Sequence, residues 1–390
     1  MIRLAFVIHS TRTWLGGVNV ILNLINSILS SPKFSSRIKV ILFTDSKLNL
    51  NKFKLNKNVE IIESSELFKI NLLCRIIDKI SIIFYSKTIY LEKILRKYNV
   101  DFITHTSFAT GKKSIAKSIV WIPDLQYIYF PELFSFKYRL LKKINIYICK
   151  DHAFKILLSS KSALSDIKRI CNIKNKKLIV SKFTFNLPKP KNLKKFSYLK
   201  KKYSLNKNFF YLPNQYWVHK NHKVVIEAIN AIKKNSNKNI IVYSSGSKKD
   251  YRSKNNFQNI FKLVKSYKLD KNYIYLGLIP YNDVMSLIYY SLAVINPSNF
   301  EGWSSTVEQA KGYNKKIILS DIKVHREQNP KNAFFFAPKN YLKLSKILIK
   351  LSSTKSKNFQ AKYDKDLKKQ VNKYTEKFCS VILSRDSRLI

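Results

Sequence analysis

Asn296 to Asn329, NPSNFEGWSSTVEQAKGYNKKIILSDIKVHREQN, is the stretch from which the fold can be read. The apolar run Leu292-Ala293-Val294-Ile295 stops at Asn296-Pro297-Ser298-Asn299, a strand running into turn chemistry. Gly302 and then Ser304-Ser305-Thr306 precede Val307, and Glu308 stands three residues after Ser305, which predicts a capping box at a helix start. The helix should run to about Tyr313, because Gly312 or Asn314 can take a left-handed cap, and Lys316-Ile317-Ile318-Leu319 resumes as a buried strand. A strand whose carboxyl end opens a helix offers unpaired N–H groups and a helix dipole to an anion, here around Ser304, Ser305, Thr306 and Val307. Glu301, just ahead of those donors, is poorly placed for a phosphate and well placed to accept from a sugar hydroxyl. The pairing points to a nucleotide sugar. The competing reading is a surface βα loop with an ordinary capped helix.

Outward from this unit, composition sets the limits. A chain of 390 residues with 45% hydrophobic and 13% aromatic content can bury two sizeable cores. Its 73 Lys plus Arg against 23 Asp plus Glu give a formal charge of +50, spread from end to end. That field attracts polyanions, whether nucleotide diphosphates, nucleic acid or an anionic membrane, unless it is only compositional drift. Cys74, Cys149, Cys171 and Cys379 lie far apart with no CxxC spacing, so they read as reduced core residues of a cytosolic protein with neither disulfide frame nor zinc site. Leu4 to Ile8 is too short for a signal peptide. The apolar region Leu67 to Tyr85 is broken by Lys69, Arg75, Asp78 and Lys79, which excludes a lipid-spanning helix. Its Leu67, Ile70, Leu73, Ile77, Ile80 and Phe84 recur at helical spacing, which predicts a helix facing either the core or a membrane interface, the core being the first expectation.

In chain order, strands are expected at Leu4–Ile8, Ile38–Phe43, Val59–Ile62, Phe102–Thr104, Ile119–Ile122, Ile156–Leu158 and Leu178–Val180, with helices at Val18–Leu29 and about 66–85 and 89–98. The Pro- and Lys-containing stretch 186–191 reads as a linker, after which the alternation restarts at Phe209–Leu212 and runs through Ile240–Tyr243 and Tyr273–Leu276 to the unit described above. From Tyr341 onward the chain is helical and Lys-rich. The fold class is therefore α/β, with two doubly wound parallel-sheet domains facing a cleft. The boundaries are 1–187 for the N-terminal domain, 188–200 for the linker, 201–355 for the C-terminal domain and 356–390 for a helical segment. Trp14, Trp121, Trp217 and Trp303 fall at strand ends, as cleft residues or as plugs of their own loops. Gly16-Gly17 would let backbone approach a bound group, but the third glycine of a dinucleotide fingerprint is lacking.

FEGWSSTVEQA (300–310) followed by ILSDIKVHREQNP (318–330) resembles the signature region of glycosyltransferase family 4, retaining enzymes of GT-B architecture. LPNQYWVHKNHKVVIEAI (212–229), HSTRTWLGGVNVILNLI (9–25) and WIPDLQYIYFPELF (121–134) are similar to blocks of one branch that builds bacterial cell-surface polysaccharides. Glu301 matches the first glutamate of the family signature. Gln309 occupies the place of the second, beside Glu308, so the ribose contact is open between the two. Lys220 stands where the family has a phosphate-binding lysine, and Gln215 replaces the usual arginine, which removes a bidentate phosphate contact. His219, Arg12 or another loop residue would have to compensate. The donor side implied by the resemblance comprises Gly16, Gly17, Gln215, His219, Lys220, Gly302, Trp303, Ser304, Ser305, Thr306, Glu308 and Gln309. Asp124, His105 and Glu301 are the catalytic candidates, and Arg12, Trp14 and Gln126 face the acceptor. Tyr127 stands where the branch has a histidine.

The resemblance implies a retaining hexosyltransferase, mannose first, acting on a lipid-linked or polysaccharide acceptor, as in lipopolysaccharide or O-antigen assembly. No Asp-x-Asp metal motif occurs, so neither metal nor cofactor is expected beyond the nucleotide-sugar co-substrate. The expected location is the cytoplasm, at the inner face of the plasma membrane. The rival classes are a nucleotide-sugar epimerase or hydrolase on the same fold, and a nucleic-acid-binding protein. The first would need a carboxylate or histidine placed for proton removal, and the second is disfavoured by unclustered basic residues and the absence of a binding motif.

Overall fold

Among the described residues thirteen strands, every one parallel to its neighbours, carry the chain. The computed structural model describes residues 1–8, 15–45, 55–68, 71–353 and 363–384. The chain divides into two compact units, Met1–Phe183 with Gln370–Ile390, and Thr184–Lys369.

In the first unit the strands are β1 (Ile2–Ile8), β2 (Ile38–Thr44), β3 (Glu60–Glu63), β4 (Phe102–Thr106), β5 (Lys117–Ile122), β6 (Lys155–Leu158) and β7 (Leu178–Val180), in the order β3-β2-β1-β4-β5-β6-β7. All seven predicted strands are present. The helix that follows β1 spans Leu15–Leu29, so Gly16 and Gly17 lie within its first turn and not in the loop ahead of it. The closing helix, Tyr363–Leu383, belongs with this unit through its last two-thirds. It buries Val371, Tyr374, Phe378, Cys379 and Ile382, and the Phe378 ring stands 6.3 Å from Phe6 of β1.

The helix expected over 66–85 begins at Leu72 and ends at Tyr85, after a short turn at Ser65–Phe68. Its facing is the reverse of the core expectation. Asp78, Ser81 and Ile82 are buried, whereas Leu73, Ile80 and Phe84 are 64%, 49% and 75% exposed. Asp78 is drawn inward because its carboxylate accepts the N–H groups of Ile89, Tyr90 and Leu91, which open the helix Tyr90–Lys97. A capping acid fixes the inward side, and the apolar stripe is left outside. Two helices without sequence-based expectation, Phe136–His152 and Lys161–Ile170, flank β5 and β6.

The second unit has β8 (Phe210–Leu212), β9 (Val242–Ser244), β10 (Tyr273–Tyr275), β11 (Val294–Asn296), β12 (Ile317–Ser320) and β13 (Ala333–Phe336), ordered β10-β9-β8-β11-β12-β13. Both faces of this sheet are covered. Phe210, Leu212, Ile295 and Ile318 pack with the helices His222–Asn235 and Tyr341–Ser352, while Tyr211, Val294, Ile317 and Leu319 pack the opposite way with Met285, Ile288 and Val307. This two-sided burial is why the strands read as continuous apolar runs. The strand order reverses between β8 and β11, the position at which doubly wound sheets hold ligands.

Candidate active site

Two loops meet at that reversal, 213–221 after β8 and 297–304 after β11. Asn299 N–H donates to the His219 carbonyl at 2.8 Å, and Asn221 Nδ2 donates to the Pro297 carbonyl at 3.1 Å, so the loops are pinned to each other. Beneath them lies a buried polar ladder. Thr306 Oγ1 donates to Asn214 Oδ1 at 3.2 Å, Asn214 Nδ2 to Asn296 Oδ1 at 3.0 Å, and Asn296 Nδ2 to Ser304 Oγ at 2.7 Å. Each of these side chains is buried. Groups that cost free energy when buried unpaired are here fully partnered, which makes the loop geometry specific.

The helix Ser305–Gly312 opens from this ladder, capped one residue earlier than expected. Ser304, not Ser305, is the N-cap, and its Oγ accepts from Val307 N at 3.4 Å. There is therefore no capping box through Glu308. That carboxylate instead receives Lys311 Nζ at 3.1 Å and Gln328 Nε2 at 2.9 Å, while Gln328 also bonds the Ser304 backbone in both directions, at 3.2 and 3.0 Å. Asn314 takes the left-handed conformation expected beyond the helix, φ 48°.

Lys220 and Glu301 are the charged centre. Lys220 Nζ lies 2.7 Å from Glu301 Oε1, with side chains only 15% and 8% exposed. Ser298 Oγ is also 2.7 Å from Glu301 Oε1 and from Asn296 Oδ1, so its single proton serves one at a time. Burial alone would raise the Glu301 carboxyl, but the Lys220 charge, His325 and the hydrogen bonds from Lys220 and Ser298 outweigh it and hold the group below its ordinary range. Both contacts fall on Oε1.

Three histidines surround the pair, and burial keeps them neutral. His222 Nε2 donates to the Gln215 carbonyl at 3.0 Å and Nδ1 accepts from Tyr273 OH at 2.7 Å, with burial pushing its pKa down to about 4. His219 is held well below its ordinary value by burial and by the charges of Lys220 and Arg252. Arg252 is committed to Asp250, with Nε to Oδ1 at 2.8 Å, and stacks 4.8 Å above the Trp217 ring. His325 is fully buried, its Nδ1 set 2.9 Å from the Ser320 carbonyl, and its Nε2 has no hydrogen-bond partner among the described residues. His325, Ser298, Asn296, Asn214 and Gln328 were not flagged by sequence reasoning. The signal, for His325 and Gln328, was their place in the quoted segment 318–330.

Gly302 and Trp303 lie in the loop between Glu301 and the cap, with Trp303 buried at 8% exposure. Gln309 is buried on the helix beside Glu308. The remaining candidates belong to the first unit. Asp124 Oδ1 accepts Gln126 N at 3.0 Å, opening the short helix Gln126–Tyr129. His105 sits at a bulge in the β4–β5 ladder with φ 56°, walled by Phe6, Trp121 and Phe378 at 5.5, 5.1 and 5.6 Å. Burial among these rings lowers its pKa to about 3. Trp121 is buried, its Nε1 bonded to Ser159 Oγ at 3.1 Å. Arg12 and Trp14 lie outside the described residues. No cluster of metal ligands occurs among the described residues.

The two doubly wound parallel sheets, of seven and six strands, are those of the GT-B fold. Residues 194–374 match the family model described as glycosyl transferases group 1. Among solved structures it is similar to Anabaena HepE in complex with UDP-glucose (13% identity, TM-score 0.68, covering 97% of this chain and 100% of that one). It is also similar to WaaG, a glycosyltransferase involved in lipopolysaccharide biosynthesis (12%, 0.63, 99% and 97%), and to a glycosyltransferase from Rickettsia africae ESF-5 (17%, 0.61, 98% and 93%). No curated protein matches the sequence. At these identities the structures speak for the fold.

Proposed function

We propose that the protein transfers a hexose from a nucleotide-diphosphate sugar to a lipid-linked glycan or polysaccharide acceptor with retention of anomeric configuration, mannose being the first donor sugar to test. The carrying observation is the buried Lys220–Glu301 pair beside the capped terminus of helix Ser305–Gly312. In this reading the diphosphate enters over the N–H groups of Ser305 and Thr306, those of Ser304 and Val307 being bonded to Gln328 and to the cap, and draws Lys220 from Glu301, so that the ammonium neutralises the departing phosphate. Glu301 keeps Ser298 on Oε1 and accepts a sugar hydroxyl on Oε2. Attack on the leaving-group face needs stabilised charge more than a strong protein base, in keeping with the neutral histidines around the pair. Cation and helix terminus carry the leaving-group charge, so the reaction is proposed to run without metal. The ribose falls to Gln309 or Glu308, and Asp124 and Gln126 are assigned to the acceptor side. The proposed place of action is the cytoplasmic face of the plasma membrane.

The test is incubation with a panel of radiolabelled GDP- and UDP-hexoses and a bacterial lipid extract, following label into lipid, alongside thermal shift with the nucleoside diphosphates. Label in lipid from one donor supports the reading. Nucleoside diphosphate stabilisation with label released only as free sugar would replace it with hydrolysis, and stabilisation by single-stranded nucleic acid alone would sink it.

A further inference from the structure

The outward apolar stripe of helix Leu72–Tyr85 has a neighbour. This helix packs beside Phe136–His152, which buries Ile146 and Cys149 and turns Phe136, Leu140, Ile144 and Tyr147 away from the core, one residue per turn. Phe136 is 72% exposed, as Phe84 is 75% exposed on the first helix, where Leu73, Ile76, Ile80 and Ile83 complete the stripe. Contiguous apolar surface on this scale marks an interaction site.

The charge around it says what covers it. Arg75 and Lys79 border the first stripe, and exposed Lys137 and Lys143 border the second. Arg139, Lys142 and Lys150 lie over the rings of Phe136, Tyr138 and Tyr147 at 5.9, 5.5 and 5.9 Å. Cationic chains laid along rings at the border of an apolar face can keep their heads at a headgroup layer while the rings enter the acyl boundary. The acidic residues do not oppose this, since Asp78 is buried against three backbone N–H groups and Asp151 is the only other acid on the two helices. A second copy would bring the same cations to the same face of a chain of charge +50. No helix among the described residues is long and apolar enough to cross a membrane. We propose that the adjoining outer faces of Leu72–Tyr85 and Phe136–His152 form a docking surface for an anionic lipid bilayer, in which the helices lie in the interface. For its purpose this rests on the proposed lipid-linked acceptor, because an enzyme acting on one must meet the bilayer that holds it.

The purified full-length protein is floated with vesicles of phosphatidylcholine alone and of phosphatidylcholine mixed with phosphatidylglycerol, at low and high salt. Recovery should be roughly tenfold greater on the mixed vesicles and fall with salt. The triple variant Phe136→Gln/Leu140→Gln/Ile144→Gln and the double variant Ile80→Gln/Phe84→Gln should each lose about tenfold in bound fraction, with an unchanged melting temperature because the altered side chains are exposed. Flotation of both variants like the wild type, or equal recovery on neutral vesicles, overturns the proposal. So does a concentration-dependent dimer that the same variants abolish, which would make a second copy the occupant. Nucleoside diphosphate thermal shift is read in every sample. Its absence with flotation intact would remove the transferase reading alone, and the converse would remove the docking surface alone.

Discussion

Lys220 and Glu301 hold each other in a site whose proposed work requires them to part. Glu301→Gln keeps shape and Ser298 contact but removes the acceptor charge, so transfer should fall by about 10²-fold or more while nucleoside diphosphate affinity stays within a few-fold. Near-normal turnover would show that the carboxylate has been misassigned. Lys220→Ala removes the phosphate cation and leaves a buried carboxylate unpaired, so donor affinity and rate should drop together by roughly 2–4 kcal/mol. A loss under about 0.5 kcal/mol would mean that another cation holds the diphosphate. The same pair sets an acid limb. Glu301 has its folded pKa depressed below 4.5, so its stabilisation is present above that value and is lost as pH falls through the lower folded one. In Lys220→Ala burial is no longer offset, and the stability difference from wild type should widen from pH 4 upward; equal acid unfolding curves would contradict this.

At the scale of elements, the helix Ser305–Gly312 depends on one hydroxyl. Ser304→Ala removes the cap and the acceptor of Asn296 Nδ2, and should cost about 1–2 kcal/mol in denaturant unfolding. Ser305→Ala should cost little, and the reverse ranking would restore the capping box. Just beyond this helix, Lys315 is buried with Nζ on the carbonyls of Tyr289 and Ser291, at 2.8 and 2.6 Å, at the end of helix Tyr281–Tyr290. Burial lowers its pKa from 10.5 to about 8. Between those values the unfolded chain binds the proton and the folded one does not, so this group makes stability rise with pH across that window. The slope is isolated by comparison with Lys315→Met: the wild type should gain on the variant from pH 8 to 10, and a flat difference would place the proton elsewhere. The strands were legible as short apolar runs, and in the second sheet burial on both faces makes those runs continuous. The exception, β13, is a four-residue Ala-Phe-Phe-Phe run set between Asn332 and Pro338, which gives no periodicity to read. Helical periodicity in Leu67–Tyr85 located a stripe but not the side on which it lies, because that was decided by Asp78 capping a different helix. In the same way Glu301 stood out as an acid just ahead of a helix start and Lys220 through the family resemblance, whereas Asn296, Ser298 and Gln328 acquire meaning only when β8 and β11 become neighbours and Asn214 meets Asn296, 82 positions further on.

For the whole molecule the governing quantity is charge. With 73 basic and 23 acidic residues, most cations have no acid to pair with, and the folded state concentrates them where the unfolded chain spreads them out. The ion pairs between well-exposed partners, such as Lys97–Glu66 and Arg326–Asp321, add little. Self-repulsion should therefore be the largest electrostatic contribution to stability, and it is long-ranged enough to be screened once the Debye length drops to about 10 Å near 0.1 M salt. The melting temperature should rise from roughly 0.02 to 0.3 M sodium chloride, over the same range in which vesicle binding weakens. The opposite signs matter. A salt effect on flotation that merely reflected loss of folded protein would run parallel to the melting temperature, whereas screening of a lipid contact runs against it. Sodium chloride acts mainly by screening at these concentrations, and replacing it with sucrose, which favours burial without ions, should raise the melting temperature and leave vesicle binding unchanged. A melting temperature that is flat or falls with salt would mean that the excess cations are too well solvated to repel one another, and that the charge of this chain has no hold on its fold.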